Sequence, residues 1–219
     1  MRRAIICIAL MLALATACTA AGGERRNDER RSDERPRPAA SAAAYQVPAE
    51  EMRGVRVEPD GDRTTITAAD GSRHRLAGRF TFDALSSNGR LLYLVEHRPP
   101  AGSENYRVRL FNLRTGKLRP QPIADKANLE TDMTGAPKAR ATTASGEWVF
   151  TLYRDPHHSF VHALNVDEAY ALCLELPPCS CSDDGAWSLT LSANETKLHA
   201  VAGSREDAAT FDLRAELGA

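Results

Sequence analysis

Three stretches of this chain open on the same small polar turn and run straight into a β-type segment: "SSNGRLLYLVEH" at 86–97, "TASGEWVFTLYR" at 143–154 and "SANETKLHAVAG" at 192–203. A pattern that returns at long intervals calls for a unit built several times over and packed against its own copies. In the first copy Asn88-Gly89 suits a tight hairpin turn, because both residues tolerate positive φ. The surrounding segments recur in order too. "FTFDAL", "RLLYLVEH", "YRVRLFNL" and "KLRPQPIAD" form four runs, and "KARATTA", "WVFTLYR", "FVHALNV" and "YALCLEL" repeat them. The third copy has "WSLTL", "KLHAV" and "ATFDL", and upstream "RTTITAADGSRHRLAG" reads as a hairpin with Asp70-Gly71 at its turn.

The corresponding turn positions are Gly89, Gly146 and Glu195, spaced by 57 and 49 residues. Four-stranded units at such intervals are the mark of β-propeller blades, each burying its faces only against its neighbours. A β-sandwich with coincidental turns is the alternative; the ordered recurrence favours the propeller. The expected fold is all-β: a partial or degenerate β-propeller of four-stranded antiparallel blades, about three of them, over residues 45–219. Closed propellers have more blades, so exposed strand edges are expected, and with them self-association that completes a ring.

"FTFDALSSNGRLLYLVEH", "TGAPKARATTASGEWVFTLY" and "FVHALNV" resemble exported actinobacterial propeller-type proteins with YVTN/WD-like repeats. The resemblance covers about residues 60–213. It implies blade structure and no particular chemistry. The sequence departs from it at Ser87-Asn88-Gly89, which lacks the usual Asp, and at Glu195, where Gly is expected.

The N-terminus sets an expected location. Met1-Arg2-Arg3 precedes the apolar run "AIICIALMLALATA", which is too short to span a bilayer comfortably and reads as an export signal over residues 1–17. "LATAC" resembles a bacterial lipobox, which implies that Cys18 is lipidated and that the membrane is a partner through this N-terminal lipid. "ATA" is equally an A-x-A site for ordinary signal peptidase, which would cut at the same bond. Residues 18–44 hold no aromatic and no aliphatic larger than Ala, so they cannot offset the entropy of ordering and are expected to form a disordered stalk.

Charge narrows the partners. Lys plus Arg is 28 against 29 for Asp plus Glu, so no global basic field attracts nucleic acid. In an antiparallel blade the a–b and c–d turns lie on one rim and the b–c and d–a loops on the other. The second set is longer here, and long loops on one rim are where binding usually resides. It places His97, Asp125, Glu130, Asp132, Asp155, His157 and His158 together as candidate binding residues for an unknown protein or small ligand. Cys173, Cys179 and Cys181 have a metal reading and a disulfide reading. An oxidising compartment and the lack of any standard zinc spacing favour the disulfide, with Cys173 joined to Cys179 or Cys181. His162 and His199 are expected to be packed core histidines within strands, hydrogen-bonded to a neighbouring blade. No nucleophile elbow, phosphate loop or H-E-x-x-H occurs, and no cofactor is expected. The function expected is a cell-surface binding or interaction module. The alternative is a loop-built hydrolase or lyase, metal-assisted or not.

Overall fold

The computed structural model describes residues 46–98, 105–127, 129, 131–155, 158–178, 186–203 and 208–218. The expected leader, stalk and Cys18 lie outside the described residues, as do Glu130, His157, Cys179 and Cys181.

After a one-turn helix α1 (Ala49–Met52), the chain forms four antiparallel meanders. The first is β1 (Arg56–Asp60), β2 (Arg63–Thr67) and β3 (Arg73–Ala77). The second is β4 (Arg79–Leu85), β5 (Leu91–His97), β6 (Tyr106–Asn112) and β7 (Lys117–Leu118). The third is β8 (Ala136–Thr142), β9 (Trp148–Arg154), β10 (Ser159–Asn165) and β11 (Tyr170–Glu175). The fourth is β12 (Trp187–Leu191), β13 (Lys197–Ala202) and β14 (Ala209–Asp212), and helix α2 (Leu213–Leu217) follows it. The upstream segment expected as a lone hairpin gains β1, so the described residues form four sheets.

The recurrent sequence has a recurrent bond set. At each a–b turn a hydroxyl residue pairs its backbone with the residue five positions on, Ser86 with Leu91, Thr143 with Trp148 and Ser192 with Lys197. Its side-chain oxygen accepts that same residue's N–H, at 3.0, 3.1 and 3.0 Å respectively. The turn N–H groups of Gly89, Gly146 and Glu195 donate to the carbonyls of Ser86, Thr143 and Ser192. All three turn residues have positive φ, and Glu195 takes φ 53° although it is not glycine.

Strand alternation sorts side chains between neighbouring sheets. In β5, Leu92 and Leu94 pack with Ile66, Val55 and Phe80 towards the first sheet. Tyr93 faces the other way and packs with Val149, Leu164 and Ala171 of the third. In β9 and β10, Phe150, Leu152, Val161 and Ala163 meet Trp187, Leu189, Leu198 and Phe211 of the fourth sheet. Each sheet is therefore buried by its sequence neighbours, which is blade-on-blade packing. The chain folds as a partial β-propeller.

The short β7 has a covalent reason. Pro120 and Pro122 lack N–H groups, so pairing to β6 survives only at Arg119, which donates to Leu110 O, and Ile123, which donates to Val108 O. Two expectations about histidines change. His199 lies on the outer side of the fourth sheet, with its Nδ1 3.1 Å from Thr210 Oγ1, so it is not a core residue. His162 is buried as expected, but it makes no hydrogen bond to a neighbouring blade among the described residues.

Candidate functional site

Between the second and third sheets, on the loop rim, lies a cleft of about 190 Å³. Its wall is the d–a loop that links those sheets. Met133 forms a two-way backbone bridge with Tyr106, at 3.0 and 2.9 Å, and the Tyr106 hydroxyl donates to Thr134 O. Gly135 then passes so close to β9 that a Cβ there would sit 2.6 Å from the carbonyl carbon of Arg154, at a φ of +95°. Only glycine lets this loop lie against the strand end.

The floor is one face of the third sheet. His162 pairs with Cys173, and Phe160 with Glu175, across β10 and β11. His158 stands at the lip, its ring stacked 5.3 Å from Phe160 and its Nε2 bonded to Glu175 Oε2. Beneath them Tyr153 stacks on Phe160 and lies tilted against Tyr106, with ring centroids 5.6 and 4.9 Å away. His162 is 4 % exposed, lines the cleft, and makes no hydrogen bond among the described residues. Burial pushes its pKa down, with the Asp83 and Asp125 charges opposing, so the ring is neutral at pH 7.

The candidates from the sequence divide by role. Asp132, His158 and Asp125 line the cleft. Asp132 is bonded to Arg107 through both oxygens and is 3.3 Å from Arg98. The Arg107 hydrogen bond and charge hold its carboxyl below the usual carboxylate range. Asp125 is 5 % exposed and accepts the N–H of Cys173 at 2.6 Å and of Ala127 at 2.7 Å, so it fastens the loop to the edge strand β11. Asp155 accepts from Thr134 Oγ1 and from His158 N, which clamps the two loops together. His97 does not line the cleft. Its Nε2 lies 3.0 Å from Thr81 Oγ1, and burial lowers its pKa.

Glu175, Phe160 and Met133 were not singled out by the sequence. Their signal was there: Glu175 falls on the same alternation as Cys173, and hence on the same face. Among the described residues no group of three His, Cys, Asp or Glu side chains is placed to hold a metal ion. No described helix is long and apolar enough to cross a membrane.

Deeper in the same interface, Arg140 of β8 crosses to the second sheet. Its Nη1 is 3.3 Å from Asp83 Oδ1 and 3.0 Å from Thr151 Oγ1, its Nη2 donates to Asp83 O, and its Nε donates to Glu51 Oε2. The pair is buried, with side chains 2 % and 4 % exposed. Burial works against the guanidinium, but Asp83 and Glu51 outweigh it and raise its pKa.

No family model and no curated protein matches this chain. Solved structures do. The structure of the Dos1 propeller is 10% identical, with a TM-score of 0.42 over 67% of this chain and 42% of that one. A functionally unknown protein from Desulfotomaculum acetoxidans is 10% identical, with a TM-score of 0.38 over 72% of this chain and 49% of that one. TolB from Acinetobacter baumannii is 16% identical, with a TM-score of 0.31 over 67% and 37%. The chain spans less than half the length of each of these structures.

Proposed function

We propose that this chain is a binding module, exported and held at the membrane by a lipid on Cys18, whose ligand enters the loop-rim cleft between the second and third sheets. The observation that carries the binding role is the cleft itself. Carboxylates at Asp132 and Glu175 border an aromatic floor at Phe160, and His162, which makes no hydrogen bond among the described residues, lines the space. Acidic groups beside aromatic faces suit a cation. The ligand class is an amine or guanidine, free or on a lysine or arginine side chain of a protein partner. The apolar run before Cys18 and the small residues preceding it support the anchoring role.

Calorimetric titration of the full chain in a mild detergent tests the cleft. N-acetyl-lysine methylamide is the probe, and its uncharged norleucine counterpart is the control. Saturable binding of the lysine compound, weakened at least about tenfold by Glu175→Gln, is expected. Equal response to both compounds would remove the cation reading. Labelled palmitate entering the wild-type chain but not Cys18→Ala tests the anchor separately.

A further inference from the structure

A second cleft lies on the opposite rim, among the tight turns of the first and second sheets, with a volume of about 400 Å³. Three arginines converge on it from separate segments: Arg53 after α1, Arg90 at the a–b turn of the second sheet, and Arg114 at its c–d turn. Arg53 is committed to the fold. It takes a left-handed conformation at φ 45° and donates to the carbonyls of Leu85, Ser86 and Ser87. Arg90 and Arg114 differ. Their side chains are exposed and make no ion pair or hydrogen bond among the described residues.

The one carboxylate in the lining is Asp70, which accepts the N–H of Ser72 at 2.9 Å. Three arginines gathered at a concave site, against Asp70 in the lining and Asp167 at its edge on Ser87, leave a net positive field, and a cleft focuses it. The floor beneath them is apolar, formed by Val55, Leu85 and Leu113. Guanidinium groups over apolar surface are matched by a ligand with an anionic head and an apolar body, because the planar fork fits phosphate oxygens bidentately.

The chain's route bears on which such ligand this is. Residues 1–45 precede the described fold, and the chain enters it through α1, immediately before Arg53 and Val55. The covalent connection to residues 1–45 leaves from this rim. We propose that the turn-rim cleft is a headgroup site for an anionic phospholipid, with Arg90 and Arg114 on the phosphate and the acyl portion over Val55, Leu85 and Leu113. The site depends on neither Cys18 nor the loop-rim cleft.

The test is calorimetric titration of the full chain in dodecyl maltoside with dihexanoyl phosphatidylglycerol, dihexanoyl phosphatidylcholine and inorganic phosphate. Phosphatidylglycerol should bind saturably, and each of the other two about tenfold more weakly or worse. Arg90→Ala with Arg114→Ala should weaken phosphatidylglycerol at least about tenfold, one charged hydrogen bond being worth that much. Glu175→Gln should leave it unchanged. Both arginines are exposed, so the double variant should melt as the wild type does; Arg90→Lys with Arg114→Lys, which keeps the charge, should recover part of the affinity. Phosphate binding as tightly as the lipid would make this a site for the free anion and overturn the proposal. So would equal binding of the zwitterionic lipid, or an arginine double variant that binds as the wild type does.

Discussion

Ala169 shows how one position reveals a repeat that its neighbours disguise. It closes the c–d turn of the third sheet at φ 61°, with its N–H on Asn165 O. Gly116 closes the matching turn of the second sheet at φ 66°, with its N–H on Asn112 O. A Cβ in the left-handed region costs about 1–2 kcal/mol, partly offset by the greater chain entropy glycine loses on folding. Ala169→Gly should therefore stabilise the protein by about 0.5–1 kcal/mol, read as a higher denaturation midpoint at unchanged slope. A lower midpoint would refute the strain argument. His162 offers a second test at this scale. Burial sets its folded pKa below the ordinary value of 6.5, so as pH falls the unfolded chain takes up the proton first. Its contribution is complete above that value and is lost as pH drops from there towards the folded pKa. His97 acts with the same sign. The melting temperature should fall between pH 7.5 and pH 5.5, and His162→Gln should make the fall shallower. An unchanged slope in the variant would assign the pH dependence elsewhere.

At the scale of elements, the a-strands β4 and β8 carry the decisive contrast. Asp83 and Arg140 stand at equivalent places in successive sheets, each six residues before the turn glycine, and they meet across the interface. Asp83 Oδ2 is buried and has no hydrogen-bond partner among the described residues. Removing the cation would leave that carboxylate uncompensated, so Arg140→Met should cost about 3–5 kcal/mol. Adding Asp83→Leu removes the stranded charge and should restore most of the loss. A double variant as unstable as the single one would show that the pair itself, and not the orphaned carboxylate, carries the stability.

This pairing also marks what the sequence could and could not reveal. The turns and strands were legible because hydroxyl, turn residue and apolar alternation are local signals. Strand β1 was not, because "RVEPD" holds a proline and two acids and pairs only as an edge strand. The cleft was half legible. Loop length pointed to the rim that carries this cleft and to Asp132 and His158, which line it. That Asp125 and Asp155 are fasteners, and that Glu175 shares the cleft with Asp132 and His158, depends on which strands end side by side, a non-local fact that no spacing encodes.

For the whole molecule, the question is what bounds a stack of four sheets. No hydrophobic cluster of described residues joins the first sheet to the fourth. The first turns Arg56, Glu58, Arg63, Arg73 and Arg75 outward, all exposed, and the fourth turns out Ser188 and Thr190. Polar outer faces are how terminal repeats end a stack without aggregating. A ring-closing dimer would have to bury these groups. The protein should therefore run as a monomer by light scattering across a dilution series in detergent, after correction for bound detergent. A concentration-independent dimer would show instead that a second copy completes the ring.

Neighbouring sheets are laced along the turn rim. Asp167 of the third accepts from the backbone N–H and hydroxyl of Ser87 in the second, and Glu195 of the fourth accepts from Ala144 N in the third. The loop rim between the second and third sheets holds a hollow, and its walls are buckled together as well, by the Tyr106–Met133 bridge and by Asp125 and Asp155. These two leaves are therefore fastened at both edges. The hollow is a fixed niche, and a guest has to match it as it stands.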